Sequence, residues 1–375
     1  LSKTESFMRI GFDAKRAFFN RTGLGNYSRY ILDNLLKFAP NLKTFAYTKR
    51  RNEELYPQFP QDRVALKKVK GPDFLWRSFS ISRQLEADGI DIFHGLSNEI
   101  PFGLKKRGIK SVVTIHDLIF LRKPEYYKWV DRKIYKWKFR YACRNADRVI
   151  AISQQTKADI VDFFGVESEK IEVIYQACSD RFASVPEENE SRPVLEKYGF
   201  AKPFILCVGS IEPRKNQLNL VKAFALSGLQ KEAELWIVGR GKSYKQELEV
   251  YVKAKGLDSV KILSDVSNKE LHIMYHTAHL AAYVSEFEGF GIPVLEAIRA
   301  GLPVLSAKGS CLEEAGGTGA LYADPHSLEE MSDKMKALFS DEDLRANVIR
   351  AGSEHLQKFD DEKLTEQLLQ LYAQL

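Results

Sequence analysis

Cysteine is scarce in this chain: Cys143, Cys178, Cys207 and Cys311 are the only four among 375 residues, and no two lie close together. That spacing supports neither a disulfide framework nor a zinc site, and it fits a reducing cytoplasm. Long apolar runs are missing too. No stretch approaches the ~20 residues of a membrane span. The polar segment Leu1–Phe7 lacks the apolar centre of a signal peptide, and Met8 is a candidate natural start. Repeats and low-complexity segments are absent. With 44% hydrophobic and 28% charged residues, disorder, collagen and coiled coil are excluded as the main architecture. At ~150 residues per domain, the length gives two domains or three, each able to bury a core without staples.

Charge is present but uneven. The net +6 divides into +12 for residues 1–180 and −6 for the remainder, and residues 101–150 alone carry +10. The N-terminal half therefore meets, or lies near, something anionic. Within it, Tyr126, Tyr127, Trp129, Tyr135, Trp137 and Phe139 interleave with Lys128, Arg132, Lys133, Lys136, Lys138 and Arg140. Aromatics and cations mixed on a helix suit an anionic membrane surface. Nucleic acid is the less favoured anion, and a core helix with snorkelling lysines is the plain alternative.

Short β-branched runs alternate with helical stretches. They are Met8–Asp13, Lys43–Tyr47, Ile90–His94, Ser111–His116, Arg148–Ile152 and Ile171–Tyr175, then Phe204–Val208, Leu235–Val238, Val260–Leu263, Leu280–Val284, Pro303–Ser306 and Ala320–Tyr322. This pattern predicts parallel strands covered on both faces, in two doubly wound α/β domains. Asp180–Pro203, rich in Glu, Ser and Pro, reads as a linker, and the charged Asp341–Leu375 as helical. Tyr27, Ile31, Leu35 and Phe38 share one face of a helix opening after Thr22-Gly23-Leu24-Gly25, and Ser153 is placed to cap a helix Gln154–Phe164.

The richest chemistry lies in Ser285-Glu286-Phe287-Glu288-Gly289-Phe290-Gly291-Ile292-Pro293-Val294-Leu295-Glu296-Ala297, which follows a buried strand and opens a helix. Pro293 suits a first helical turn. Gly289 and Gly291 admit a ligand close to the backbone, and the helix N-terminus offers N–H groups to an anion. A phosphate there would have Glu288 and Glu296 on either side, each able to accept from sugar hydroxyls. The alternative is a surface turn with two solvated glutamates. In Val208-Gly209-Ser210-Ile211-Glu212-Pro213-Arg214-Lys215-Asn216, a glycine turn is followed by two cations, a plausible diphosphate clamp that needs no metal, or else a solvated pair. Thr114-Ile115-His116-Asp117 ends a strand, where open α/β sheets bind ligands, although a lone histidine is more often structural. Gly23-Leu24-Gly25-Asn26-Tyr27 is a fragment of a dinucleotide fingerprint or a plain helix start. Gly239-Arg240-Gly241-Lys242 is a tight turn after a strand that could border a nucleotide. His94, in Asp91-Ile92-Phe93-His94-Gly95, is structural or faces an acceptor.

Glu288-x7-Glu296, inside E-G-F-G-x-P-x-x-E-A, resembles the signature of retaining GT-B glycosyltransferases of family 4, and the resemblance runs from about Met8 to the C-terminus. It implies two facing Rossmann-like domains with a donor cleft between them, the nucleotide sugar held mainly by the second. It further implies that Glu288 contacts donor-sugar hydroxyls and Glu296 the ribose, with Gly289, Phe290 and Gly291 in the donor loop. Where the family has an arginine after the glycine, this chain has Ser210. Lys215 matches the family lysine, with Arg214 beside it as a substitute guanidinium. The Ile-Glu-Pro-Arg-Lys-Asn form is similar to a mannosyltransferase-like subgroup, favouring GDP-mannose without excluding UDP-sugars. His116 matches a family histidine that faces the donor sugar, and Asp117 holds its loop. Gly23 and Gly25 match a glycine-rich loop near the donor diphosphate or the acceptor. Leu263-Ser264-Asp265-Val266 resembles the family segment whose backbone reads the nucleobase, with Val266 the candidate, and Gly239 would border the nucleotide.

The implied activity is retaining, metal-independent hexosyl transfer without a cofactor. The acceptor would be a glycan or lipid-linked sugar in surface polysaccharide synthesis, met in the cytoplasm or on the inner membrane face. A glycan phosphorylase of the same fold would need a pyridoxal-bearing lysine site, for which no strong candidate stands out. A nicotinamide dehydrogenase would need a complete glycine fingerprint. A silent sugar-nucleotide-binding protein would have no use for Glu288, Glu296, Lys215 and His116 together. The expected organisation is an acceptor-side domain at 8–185, a nucleotide-sugar domain at 186–355, and a helix at 356–375 packing back on the first.

Overall fold

The computed structural model describes residues 8–49, 52–57, 59, 64–68 and 76–375, so the reading of Leu1–Phe7 lies outside the described residues. Strands β1 (Arg9–Asp13), β2 (Lys43–Thr48), β3 (Val64–Lys68), β4 (Ile92–Gly95), β5 (Lys110–Ile115), β6 (Arg148–Ala151) and β7 (Ile171–Val173) form one sheet in the order β3-β2-β1-β4-β5-β6-β7. Strands β8 (Phe204–Val208), β9 (Glu234–Val238), β10 (Val260–Leu263), β11 (Leu280–Tyr283), β12 (Val304–Ala307) and β13 (Ala320–Ala323) form a second, in the order β10-β9-β8-β11-β12-β13. Every neighbouring pair is parallel. In both sheets the order reverses beside the first strand of the unit, β1 against β4 and β8 against β11. Such a switch point leaves a crevice at the strand C-termini.

The interior strands are apolar because helices cover both faces. Val112, Val113, Val149 and Ile150 in the first sheet, and Ile205, Leu235, Ile237 and Leu305 in the second, are fully buried. Strand β3, with the sequence Val-Ala-Leu-Lys-Lys, was not expected. Among the described residues it is an edge strand paired with β2, and the two lysines in its sequence hide the strand pattern.

The chain divides into two compact units, Leu1–Gln176 with Asp360–Leu375, and Ala177–Phe359. The expected boundary at 185/186 therefore moves to 176/177, and the returning segment starts at 360 instead of 356. Asp180–Pro203 is not a linker. It holds a 3-10 turn, Asp180–Ala183, and a helix, Glu188–Lys197, both in the second unit. Phe182 anchors it, fully buried with its ring edge-on to Tyr275. His272 Nε2 donates to Ser184 O at 2.7 Å, and Lys269 pairs with Glu190 at 2.6 Å. The helix buries none of its own residues, so no apolar period announced it. None of the four cysteines forms a disulfide, and all four are buried. Among the described residues no helix is long and apolar enough to cross a membrane.

Candidate active site

In the second unit the loops after β8 and β11 meet at the switch point. Asn216, in the left-handed conformation, ties them: its Nδ2 donates to Val284 O at 3.2 Å and to Pro325 O at 2.7 Å. Glu286 N donates to Arg214 O at 2.9 Å. These bonds bring Arg214, Lys215 and Glu288 together. Lys215 Nζ lies 2.5 Å from Glu288 Oε1 and Arg214 Nη1 2.8 Å from the same oxygen. Tyr283 closes the group. Its hydroxyl accepts from Lys215 and donates to Glu288 Oε1 at 3.2 Å, while the Lys215 ammonium lies 4.9 Å from its ring centroid. Arg214 also reaches Phe287 O at 2.6 Å and Glu212 at 2.7 Å.

The electrostatics follow from this packing. Burial alone would raise the Glu288 carboxyl, but the Lys215 and Arg214 charges outweigh it and hold it at about 2. Burial pulls the Lys215 ammonium and the Arg214 guanidinium down, and Glu288 lifts both above their ordinary values. All three stay charged across the neutral range. The two cations are thus not a free pair on a solvated turn: a carboxylate fixes them in place.

Gly291 is the residue before the helix Ile292–Arg299, at φ 140°. A Cβ there would stand 2.8 Å from the Leu312 side chain, so only glycine lets the loop enter the helix at this angle. Pro293 sits in the first turn, and Val294, Leu295, Ala297 and Ile298 are buried. The helix N-terminus is therefore fixed beside the loop that carries Glu288 and Gly289. Phe290 turns inward, its ring 5.7 Å from Phe359, so its side chain serves the core. Glu296, one turn into the helix, accepts from Tyr275 Oη at 3.0 Å. Burial raises its carboxyl to about 7, against the smaller opposing pull of Arg181 and Tyr275.

The other donor-loop candidates lie along the same sheet edge. Ser210 is exposed, and its carbonyl accepts from Gln217 Nε2 at 2.8 Å. Gly239 N donates to Leu263 O at 2.9 Å, and Ser264 Oγ donates to Gly239 O at 3.0 Å, which joins the turns after β9 and β10. Val266 follows Asp265, itself left-handed and paired with Arg240 at 2.6 Å.

His116, Gly23 and Gly25 belong to the first unit. His116 Nε2 faces Leu96 O at 2.8 Å, so this nitrogen must carry the proton and Nδ1 is an acceptor. Burial drops its pKa to about 4, partly offset by the Leu96 carbonyl, so the ring is neutral at pH 7. Asn98 Oδ1 accepts from His116 N at 2.8 Å, and Asp117 Oδ1 from Ile119 N at 3.1 Å. Gly23 and Gly25 open the helix Gly23–Phe38. From that helix Tyr27 meets the His116 ring edge-on at 4.7 Å. Tyr27 Oη lies 3.1 Å from Thr114 Oγ1, Thr114 Oγ1 lies 2.8 Å from His94 Nε2, and His94 Nδ1 lies 2.6 Å from Tyr372 Oη. His94 is thus buried within a polar chain that reaches the C-terminal helix.

Sequence reasoning missed Tyr283, Tyr275 and Asn98, and gave Asn216 no role of its own. Tyr283 was visible only as the polar-tipped last residue of an apolar strand, Leu280–Tyr283.

Two family descriptions match the chain: "Glycosyltransferase Family 4" over residues 25–179 and "Glycosyl transferases group 1" over residues 189–355. The O-antigen chain mannosyltransferase B of Escherichia coli is 27% identical over 290 residues, 76% of this chain and 74% of that protein. The serotype-specific mannosyltransferase WbdA of Escherichia coli is 27% identical over 263 residues, 68% of this chain but only 32% of that longer protein. HepE from Anabaena, solved with UDP and glucose, superposes with a TM-score of 0.77 at 18% identity, covering 98% of this chain and 100% of that one. With its paired parallel sheets and matches to both halves, this chain has the GT-B fold and belongs to glycosyltransferase family 4.

Proposed function

We propose that this chain is a retaining hexosyltransferase that moves mannose from GDP-mannose, in preference to UDP-sugars. Its acceptor is a glycan or lipid-linked sugar in surface polysaccharide synthesis, met at an anionic membrane on the cytoplasmic face. The observation that carries this reading is the Arg214–Lys215–Glu288–Tyr283 cluster beside the N-terminus of Ile292–Arg299. The O-antigen mannosyltransferases among the relatives support the choice of sugar.

In this reading, the donor diphosphate meets Arg214, Lys215 and the helix N–H groups. Charge that grows on the leaving group in the transition state is stabilised by cations already in position. Arg214, Lys215 and Tyr283 all meet Glu288 at Oε1, and in this reading its other carboxylate oxygen accepts from a donor-sugar hydroxyl. Glu296 accepts from the ribose hydroxyls. His116, a neutral acceptor at Nδ1, takes a hydrogen bond from the sugar. The acceptor hydroxyl attacks from the face the diphosphate leaves, and the departing phosphate takes its proton. No enzyme nucleophile is assigned, and the two cations perform the charge neutralisation that a metal performs elsewhere.

The test is turnover against a panel of nucleotide sugars, with excess chelator in a parallel arm. GDP-mannose should be the best donor, and chelator should leave the rate largely intact. Lys215→Ala should lower kcat more than donor affinity, and activity within about twofold of wild type would remove Lys215 from the mechanism. Loss of turnover with chelator, restored by magnesium or manganese, would overturn the metal-free clamp.

A further inference from the structure

The helix Trp129–Asn145 buries only Phe139, Ala142 and Cys143 among its 17 residues. Of the eleven large apolar side chains exposed among the described residues, five stand on this helix: Trp129 at 67%, Val130 and Trp137 at 57%, Ile134 and Tyr135. With 3.6 residues per turn, Trp129, Val130, Lys133, Ile134, Trp137 and Arg140 share one side, and Lys136 borders it. Two further rings widen the patch. Phe102 lies 5.7 Å from Trp137 and stacks on Phe79 at 5.0 Å, and Phe79 is itself exposed. Lys133 sits 5.5 Å from the Trp129 ring centroid. Part of the interleaved aromatic–basic stretch drops out: Phe139 is buried, Tyr127 packs against the core, Tyr135 stacks on Phe139, and Lys138 pairs with Glu99 at 3.2 Å. Val130, Ile134, Phe79 and Phe102, which the sequence pattern did not mark, take their place.

We propose that this side of Trp129–Asn145, with Phe79 and Phe102, is the surface by which the chain docks on anionic phospholipid. Exposed apolar clusters rimmed by charge mark interaction sites. Three features select the occupant. The flanking cations Lys133, Lys136 and Arg140 sit in a stretch carrying +10, which calls for an anionic partner. Val130 and Ile134 are branched aliphatics that neither stack on bases nor pair with phosphates, so nucleic acid would leave them wet. A second copy of the chain would set like charge against like charge. A lipid surface satisfies both parts: tryptophan and aliphatic side chains enter the headgroup–acyl boundary while the cations stay at the phosphates. The inference rests on the membrane part of the proposed function and gives it a site. Vesicle binding is scored without turnover, so failure of either leaves the other separately decidable.

The experiment uses the full chain in co-sedimentation with phosphatidylcholine vesicles, with and without phosphatidylglycerol, at low and high salt. Wild type should sediment with the anionic vesicles at low salt and release as salt rises. Trp129 and Trp137 fluorescence should shift to the blue on binding, while Trp76 and Trp236, both buried, give a constant background. Replacing Lys133, Lys136 and Arg140 together with Gln should weaken binding roughly tenfold or more, as expected for three cations at a charged leaflet. Trp129→Ala with Trp137→Ala should weaken what binding survives at high salt. The nucleotide-induced rise in Tm should be unchanged in both variants, which shows that they fold. A wild type that stays in the supernatant at low salt, or that binds neutral and anionic vesicles alike, overturns the proposal. So does a triple variant that binds as wild type, or capture of a single-stranded oligonucleotide in preference to vesicles.

Discussion

Glu288 and Glu296 sit on one short stretch of chain, yet their surroundings push them in opposite directions. Glu288 meets two cations and is held at about 2, whereas burial of Glu296 outweighs the opposing Arg181 charge and Tyr275 hydroxyl and raises it to about 7. The ionised form of Glu296 is the stronger acceptor for ribose hydroxyls, because its hydrogen bonds are charge-assisted. Affinity for a nucleoside diphosphate should therefore strengthen as pH rises through about 7, and Glu296→Gln should flatten that rise. Titration of the nucleotide's own phosphates is common to both proteins and cancels in the comparison. Stability runs the other way. The folded-state value is raised, so the contribution is present below the ordinary carboxylate range and is lost as pH climbs through about 7. Calorimetry across this range checks both signs. Equal slopes for wild type and Glu296→Gln would assign the pH dependence to another group. Glu288→Gln should leave the slope untouched, because its carboxyl is ionised throughout.

At the scale of elements, the loop before the helix Gly23–Phe38 separates a glycine that the fold requires from one that it does not. A Cβ on Gly25 would lie 1.9 Å from Asn20 O, whereas one on Gly23 would meet nothing within 4 Å. Asn20 cannot easily retreat, because its Oδ1 accepts from Thr22 N at 2.7 Å and from Gly25 N at 3.3 Å. Gly25→Ala should thus cost about 1–3 kcal/mol. Gly23→Ala should stabilise by up to about 1 kcal/mol through helix propensity. Thermal unfolding of the two variants checks this, and a Gly23→Ala protein that keeps its Tm but loses turnover would mark Gly23 as a point of ligand approach. The same contrast explains what the sequence revealed. Twelve strands were readable because parallel strands covered on both faces are apolar throughout, and the Glu288–Glu296 loop because its glycines, proline and carboxylates are neighbours in sequence. Strand β3 was hidden by its lysines, and the helix Glu188–Lys197 by having no buried face. Tyr283 and Tyr275 were unreadable for another reason. Their value lies in what they touch, Lys215 and Glu296, which are 68 and 21 residues away.

At the scale of the whole molecule, the first unit is completed by the last residues of the chain. The polypeptide leaves that unit after Gln176 and returns at Asp360. Its final helix, Asp361–Ala373, buries Leu364, Leu368, Leu371 and Tyr372. Each fully buried leucine contributes about 1.5–3 kcal/mol, so this helix holds a large share of the ~5–15 kcal/mol that stabilises a typical domain. Without Tyr372, His94 Nδ1 would also lose its 2.6 Å partner inside the core. A chain of residues 8–176 should therefore fail to unfold cooperatively. Rejoining residues 360–375 through a short Gly-Ser linker should restore cooperative unfolding. The graft is feasible because Ile174 and Tyr175 line the same small cavity as Leu364, Thr365 and Leu368. The second unit needs no such help, since its core cluster runs from Ile205 to Val348 and draws nothing from the first. Residues 177–359 alone should fold and bind a nucleoside diphosphate through Lys215 and Glu296. Circular dichroism and calorimetry on the three fragments decide the matter. If residues 8–176 melt cooperatively at the temperature of the rejoined fragment, the last helix is an ornament on the first unit and not part of its core.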